Sequence, residues 1–127
     1  MARIRTIKPE ARKSFTLASW PREVRLAWHY LSMYLDDKGR GIDDVRLVVA
    51  ECFPLDRDVT DRKVEGWLAL MATIPKLNPD DEPALCRYTV GGRAYFHAPK
   101  WKKHQVINKP QPSHLPPCPI HEPEGLF

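Results

Sequence analysis

The chain has 127 residues, of which 43% are hydrophobic, and a formal net charge of +4. This length suffices for one modest hydrophobic core and is too short for two. No apolar run approaches the ~18 residues that would indicate a membrane span, and no signal-peptide core follows Met1, so we expect a cytoplasmic protein. The three cysteines show no paired spacing, which favours reduced thiols.

Charge is distributed along the chain in blocks. The segment Met1–Lys13 is basic, acidic residues outnumber basic ones between Glu23 and Glu82, and neither Asp nor Glu occurs between Pro83 and His121. Basic blocks favour a polyanionic partner, most simply nucleic acid. The alternative is that they only keep a small protein in solution.

The first predicted elements are a basic arm and a long helix. Met1–Lys13 has neither a helical nor a strand period, so it is interpreted as an arm that follows DNA phosphates or enters a minor groove, or else as a segment that crosses and covers the domain. A first helix is predicted over Ser19–Asp37. Two apolar stripes indicate that this helix is packed on more than one side. The first stripe is Val24, Ala27, Trp28, Leu31 and Leu35, and the second is Leu26, Tyr30 and Met33.

A turn and a second helix follow. Asp36–Gly41 is predicted to turn into a short edge strand near Ile42. The second helix is predicted over Asp43–Phe53, with one of the two aspartates at its start as the cap. Cys52 falls on its inward stripe and is interpreted as a small buried hydrophobe rather than a nucleophile.

The third helix and a hairpin occupy the stretch from Thr60 to Ala98. Thr60 can cap the helix, and Pro75 would stop it. Two strands, Leu85–Val90 and Arg93–Ala98, are joined by two glycines, which suit a tight turn. The inward stripe of the helix is Val64, Trp67, Leu68 and Met71.

Three helices followed by a hairpin is the element order of a winged helix-turn-helix. The predicted fold is therefore α+β and mainly α, with three helices and a two- or three-stranded antiparallel wing. This domain would span residues 19–99, between a basic arm (1–18) and a tail (100–127) that is first basic and then proline-rich. We expect the proline-rich end to be extended or disordered.

Candidate DNA-binding residues lie in the arm, at the start of the third helix, at the hairpin turn and in the tail. Cationic and amide side chains can contact phosphates and base edges. Trp101 is interpreted as an anchor that fixes the tail to the domain. The full set is Arg3, Arg5, Lys8, Arg62, Lys63, Arg93, Lys100, Lys102, Lys103, His104, Gln105, Asn108 and Lys109.

No catalytic site is predicted. The sequence has no P-loop glycine pattern, no Cys-x2-Cys knuckle and no recognisable Ser-His-Asp arrangement. The carboxylates of Asp80–Glu82 could hold magnesium, but their position between prolines favours a solvated loop. An enzymatic function is therefore not expected, and no cofactor is assigned.

The tail also contains residues that zinc can bind. Cys118 and His121 have a suitable spacing, and His114 precedes them, but a structural site usually has four ligands. A further ligand would have to come from elsewhere, for example His104 or Cys86. Because prolines separate these residues, we interpret the cluster as accidental and assign no metal site.

Several segments resemble a known protein family. They are Ala2–Glu10, Asp36–Arg40, Phe53–Asp56, and a run from Trp101 through Ile107–Ser113 to Leu115–Pro117. Together they are similar to the N-terminal domain of replication-initiation (replisome-organiser-like) proteins of actinobacterial phages and prophages. The resemblance implies a winged-helix fold, binding to double-stranded DNA, and contact with a replicative helicase or another replisome protein in a bacterial host. Family members often continue into a second domain, so a chain ending at Phe127 would be a short member, a fragment, or a protein that has lost helicase loading.

Two functions remain open at this stage. The first is a double-stranded DNA-binding protein of a phage replication-initiation or gene-control module, which could bind as a homodimer. The second is an adaptor that docks a replication or transcription protein without specific DNA binding. The process served follows from the resemblance alone, since initiators and regulators share this fold.

Overall fold

A computed structural model describes residues 4–73 and 82–122. Within them the chain forms a small α+β domain, as predicted, with one antiparallel sheet in the order β1–β3–β2. None of these helices is long and apolar enough to cross a bilayer. The strands are Arg40–Ile42 (β1), Cys86–Val90 (β2) and Arg93–His97 (β3). The helices are Phe15–Ala18 (α1), Arg22–Tyr34 (α2), Val45–Cys52 (α3), Asp61–Met71 (α4) and Trp101–His104 (α5), and a 3₁₀ turn spans Pro9–Lys13.

The N-terminal segment contains more structure than we predicted. The 3₁₀ turn leads into α1, where the Ser14 hydroxyl accepts the backbone N–H of Leu17 at 3.2 Å. α2 is shorter than the predicted helix at both ends. Pro21 occupies its N-cap position, and at the other end Leu35 leaves the helical region with a ψ of 150°.

The main core lies between α2, α3, α4 and one face of the sheet. Leu26 and Met33 are 47% and 42% exposed, so of the second predicted stripe only Tyr30 packs against the core, which limits the prediction that α2 is packed on more than one side. The reason is that α2 meets α3 and α4 along its other apolar stripe. The largest fully buried side chains of this core are Phe96, Leu31, Leu35, Leu68, Met71, Leu85, Val24 and Val64.

The second and third predicted helices are confirmed in type and position. The Asp44 carboxylate caps α3 by accepting the backbone N–H of Arg46 at 3.0 Å. The Thr60 hydroxyl caps α4 by accepting the N–H of Lys63 at 3.2 Å. Cys52 is buried, as predicted, and burial raises the pKa of its thiol to about 12, with a further contribution from the Glu51 charge.

The predicted edge strand and hairpin are also confirmed. Gly91 and Gly92 form the turn with φ values of 60° and 78°. The predicted stop at Pro75 and most of the Asp80–Glu82 loop lie outside the described residues.

The hairpin buries side chains on both faces of the sheet. Phe96 faces the main core, whereas Tyr88 faces a second, smaller cluster that the tail covers. The Tyr88 hydroxyl donates to the carbonyl of Pro116 at 2.6 Å, and Cys118 is 0% exposed. The tail is therefore packed against the sheet as far as Glu122, which corrects the expectation of a disordered end for this part of the chain.

Candidate nucleic-acid interface

The N-terminal arm crosses the domain and is held by Arg5. The guanidinium donates to a carboxylate oxygen of Asp37 and to the carbonyls of Ser32 and Leu35, each at 2.9 Å. The side chains of Arg5 and Asp37 are each 4% exposed. Arg5 is therefore part of the interior, which corrects the prediction that it contacts DNA.

Asp37 joins the arm to the tail. Its second carboxylate oxygen accepts the backbone N–H of Gln111 at 2.9 Å, and its carbonyl accepts the indole N–H of Trp101 at 2.8 Å. The Arg5 guanidinium also lies 5.2 Å from the centroid of the Trp101 ring, which is 7% exposed. The anchoring role predicted for Trp101 is confirmed. We refer to Arg5, Asp37, Trp101 and Gln111 as the Asp37 hub.

Two more residues that were predicted to contact DNA form hydrogen bonds within the protein instead. The Gln105 amide accepts the backbone N–H of Thr6 at 2.8 Å and donates to its carbonyl at 3.0 Å. The Lys8 ammonium donates to the carbonyl of Lys103 at 2.6 Å. Gln105 and Lys8 thus dock the arm on α5, because their polar groups already have intramolecular partners.

The remaining predicted contacts form two separate surfaces. We call Arg62, Lys63 and Arg93 the helix–wing surface, and all three are exposed. They make no ion pair within residues 4–73 and 82–122. The α5 surface comprises Lys102, Lys103, His104, Asn108 and Lys109, which are also exposed. Lys100 is half-buried beside it, and Arg3 lies outside the described residues.

The sheet keeps these surfaces apart. Arg93 begins β3 and α5 follows its end, so the five-residue strand separates them. At about 3.3 Å per residue, the strand ends alone are about 13 Å apart. The hairpin turn and the start of the tail therefore lie at opposite ends of β3.

A groove of about 690 Å³ adjoins the helix–wing surface. Glu65, one turn after Arg62 on α4, lines this groove, and so does Arg93 on β3. Two further carboxylates, Asp43 and Asp44, lie in its wall at the start of α3.

Arginine side chains neutralise the carboxylates of this groove. Arg87 donates to both oxygens of Asp43 at 2.8 and 2.9 Å and to both oxygens of Glu65 at 2.7 and 2.9 Å. These hydrogen bonds, those to Asp43 first, raise the pKa of Arg87, and the Arg87 guanidinium in turn lowers the pKa of Glu65. Asp44 pairs with Arg46 at 3.2 Å. Arg93 also lines the groove, and it makes no ion pair within the described residues.

No related protein supports the interpretation of the helix–wing surface. Comparisons with models of protein families, with curated proteins and with solved structures found no match. The two surfaces and the groove are therefore interpreted from this chain alone.

A third group of side chains lies on the tail-covered face of the sheet. Cys118 Sγ is 3.8 Å from Cys86 Sγ and 3.5 Å from His121 Nδ1. His114 lines the groove instead, and His104 is exposed on α5, so neither joins this group. The sequence offered Cys86 only as one of two candidates for a further ligand, because 32 residues separate it from Cys118.

Proposed function

We propose that the protein binds double-stranded DNA through a winged helix-turn-helix. The order of its elements supports this fold: α2, β1, α3 and α4 are followed by the β2–β3 hairpin, and β3 pairs with both other strands. In this arrangement α4 is the recognition helix and the hairpin is the wing. The observation that supports this function is that the cations of the helix–wing surface make no ion pair within the described residues, while the carboxylates of the adjoining groove are paired.

The start of α4 supplies the side chains that face the major groove in this proposal. Arg62 and Lys63 reach phosphates and base edges from the first turn of the helix. Gly66 lies one turn further along, and a Cβ there would meet no atom within 4 Å, so the helix surface leaves room for a close approach. Arg93 contacts the backbone from the wing. With so few base-reading groups, most of the affinity comes from phosphate contacts.

The same proposal extends to the process that the protein serves. The resemblance of its segments to phage replication initiators supports a role in a replication-initiation or gene-control module of a phage. The α5 surface, at the opposite end of β3 from the hairpin turn, would then bind further DNA or a protein of the replication machinery.

Replacing the three helix–wing cations should abolish most DNA binding. We expect the Arg62/Lys63/Arg93→Ala variant to lose affinity for a random-sequence duplex and to lower the salt slope by about one unit for each phosphate contact removed. The measurement is fluorescence anisotropy of a labelled duplex at several salt concentrations, with the wild-type protein alongside.

The matched control is the Lys102/Lys103/Lys109→Ala variant, which removes the same number of positive charges from the α5 surface. It should lose less affinity than the Arg62/Lys63/Arg93→Ala variant. Wild-type protein that does not bind the duplex at low salt would contradict the proposal and favour the adaptor function. Equal losses in the two variants would reject the helix–wing surface as the main site.

Arg87 should support DNA binding without touching the duplex. In the Arg87→Gln variant, Asp43 and Glu65 lose their cationic partner beside Arg93, so the groove gains net negative charge. We expect weaker binding than wild type at low salt and a smaller difference at high salt, because salt screens the repulsion. Anisotropy with Arg87→Gln and with Glu65→Gln/Arg87→Gln would show this, since the double variant should recover part of the loss.

A further inference from the structure

The tail-covered face of the sheet holds a compact cluster of cysteine and histidine side chains. Cys86 comes from β2, whereas Cys118 and His121 come from the tail. One ligand atom from each of the three residues lies within 4.8 Å of those of the other two. Cys86 and Cys118 are 7% and 0% exposed, so the two thiols are enclosed between the sheet and the tail.

Two distances within this cluster match those between ligands of one zinc ion. With Zn–S bonds of about 2.3 Å and Zn–N bonds of about 2.0–2.1 Å, tetrahedral geometry puts two sulfurs about 3.8 Å apart and a sulfur and a nitrogen about 3.5 Å apart. The observed separations are 3.8 Å between the sulfurs of Cys86 and Cys118 and 3.5 Å from Cys118 Sγ to His121 Nδ1. A disulfide would need the sulfurs at about 2.05 Å.

His97 lies next to this cluster, outside the three residues whose ligand atoms are all within 4.8 Å of one another. It is the cross-strand partner of Cys86 in the β2–β3 pair, so both side chains point to the same face of the sheet. Its ring centroid is 5.9 Å from that of His121. His97 is 5% exposed, and its Nδ1 atom is buried without a hydrogen-bond partner. A buried polar atom left without a partner is unfavourable, and a metal bond would satisfy it.

The other ring nitrogen of His97 faces a carboxylate. His97 Nε2 lies 3.4 Å from Glu122 Oε1, and Arg40 holds Glu122 through two hydrogen bonds of 2.8 and 3.1 Å. Histidines that bind a metal commonly direct their second nitrogen towards a carboxylate, which fixes the ring and its tautomer. This arrangement leaves Nδ1 as the His97 atom available to a metal, and binding would require the ring to move closer to the other three ligand atoms.

We propose that Cys86, His97, Cys118 and His121 bind one structural zinc ion. Two ligands come from the hairpin and two from the Cys118–His121 segment, which gives the Cys2His2 set of closed structural sites. Binding would release the two thiol protons to solvent and leave the oxidation state of zinc unchanged. Its effect would be to fasten the tail to the sheet.

Metal analysis of the full chain tests this site. Protein incubated with zinc and desalted should retain one zinc ion per chain by mass spectrometry of the metal. Removing the zinc with a chelator should lower the Tm, and added zinc should restore it. Cobalt should give the strong visible absorption of a tetrahedral site together with a thiolate charge-transfer band. The cobalt titration uses wild-type protein, so it does not depend on whether a variant folds.

Substitutions assign the ligands. Cys118→Ser and His121→Ala should lose the zinc, whereas Cys52→Ser should keep it, because Cys52 is buried on α3 outside the cluster. His97→Gln should bind zinc more weakly than wild type, and unchanged affinity would reject His97 as a ligand. Wild-type protein that retains no zinc, or that contains a Cys86–Cys118 disulfide by mass spectrometry, would overturn the proposal.

Discussion

The Arg5→Ala variant is expected to lose about 3–5 kcal/mol of unfolding free energy, the range for removing one partner of a buried ion pair. The substitution leaves the buried Asp37 carboxylate without its guanidinium and leaves the carbonyls of Ser32 and Leu35 without their donor. It also removes the cation that lies over the Trp101 ring. In a chain of this size such a loss corresponds to a fall in Tm of about 10–20 °C. Urea denaturation followed by circular dichroism measures the free energy directly.

A second basic residue of the same segment provides the control. Lys13 is exposed on the 3₁₀ turn, so Lys13→Ala should change stability by less than about 0.5 kcal/mol. The double variant Arg5→Met/Asp37→Leu should be more stable than Arg5→Ala, since it leaves no unpaired buried charge. If Arg5→Ala were as stable as wild type, the arm would not be docked on the domain in solution.

The Asp37 hub explains what several segments of the resemblance have in common. Arg5, Asp37, Trp101 and Gln111 belong to three stretches that are far apart in the sequence, and the structure brings them together around one residue, Asp37. Ser113 extends this group, since its hydroxyl donates to Asp36 at 2.5 Å. These segments therefore hold the arm and the tail on the domain, whereas the sequence suggested that their polar groups contact DNA.

Local patterns were sufficient to predict most of the elements. α3 and α4 follow from apolar stripes and from the caps Asp44 and Thr60, and the hairpin follows from alternation around two glycines. These features depend on neighbours within a few residues. The 3₁₀ turn and α1 were missed because segments of four or five residues are too short to show a period.

Long-range partners could not be predicted in the same way. Arg5 and Asp37 are 32 residues apart, and each alone has the sequence character of a surface residue. One signal in the hairpin was available: Phe96 and Tyr88 give it apolar side chains on both faces. A sheet that is apolar on both sides must be covered on both, and the tail is the segment that covers the second face. Some of the predicted DNA-binding residues are exposed and others are bound within the fold. The sequence could not separate the two groups, because a positive charge does not show whether a side chain has a distant partner within the protein.

Gly39→Ala should destabilise the protein by about 3 kcal/mol, because two unfavourable effects combine at this position. Gly39 has a φ of 78°, a left-handed conformation that costs a residue with a Cβ about 1–2 kcal/mol. The new Cβ would also lie 2.7 Å from Cγ of Trp101, whose ring is buried and bonded to the Asp37 carbonyl. Because the Gly39 carbonyl accepts the N–H of Ala98 at 2.9 Å, the backbone cannot move away without breaking this bond. Such overpacking adds about 1–3 kcal/mol.

Gly91→Ala isolates the first of these effects. Gly91 also has a positive φ, 60°, but a Cβ there would meet no atom within 4 Å, so its substitution should cost about 1–2 kcal/mol for the backbone alone. Urea denaturation of both variants under the same conditions gives the difference in unfolding free energy that the contact with Trp101 contributes. Equal destabilisation by the two substitutions would mean that Trp101 can move aside. The Asp37 hub would then be a loose contact between arm and tail rather than the rigid junction that its hydrogen bonds indicate.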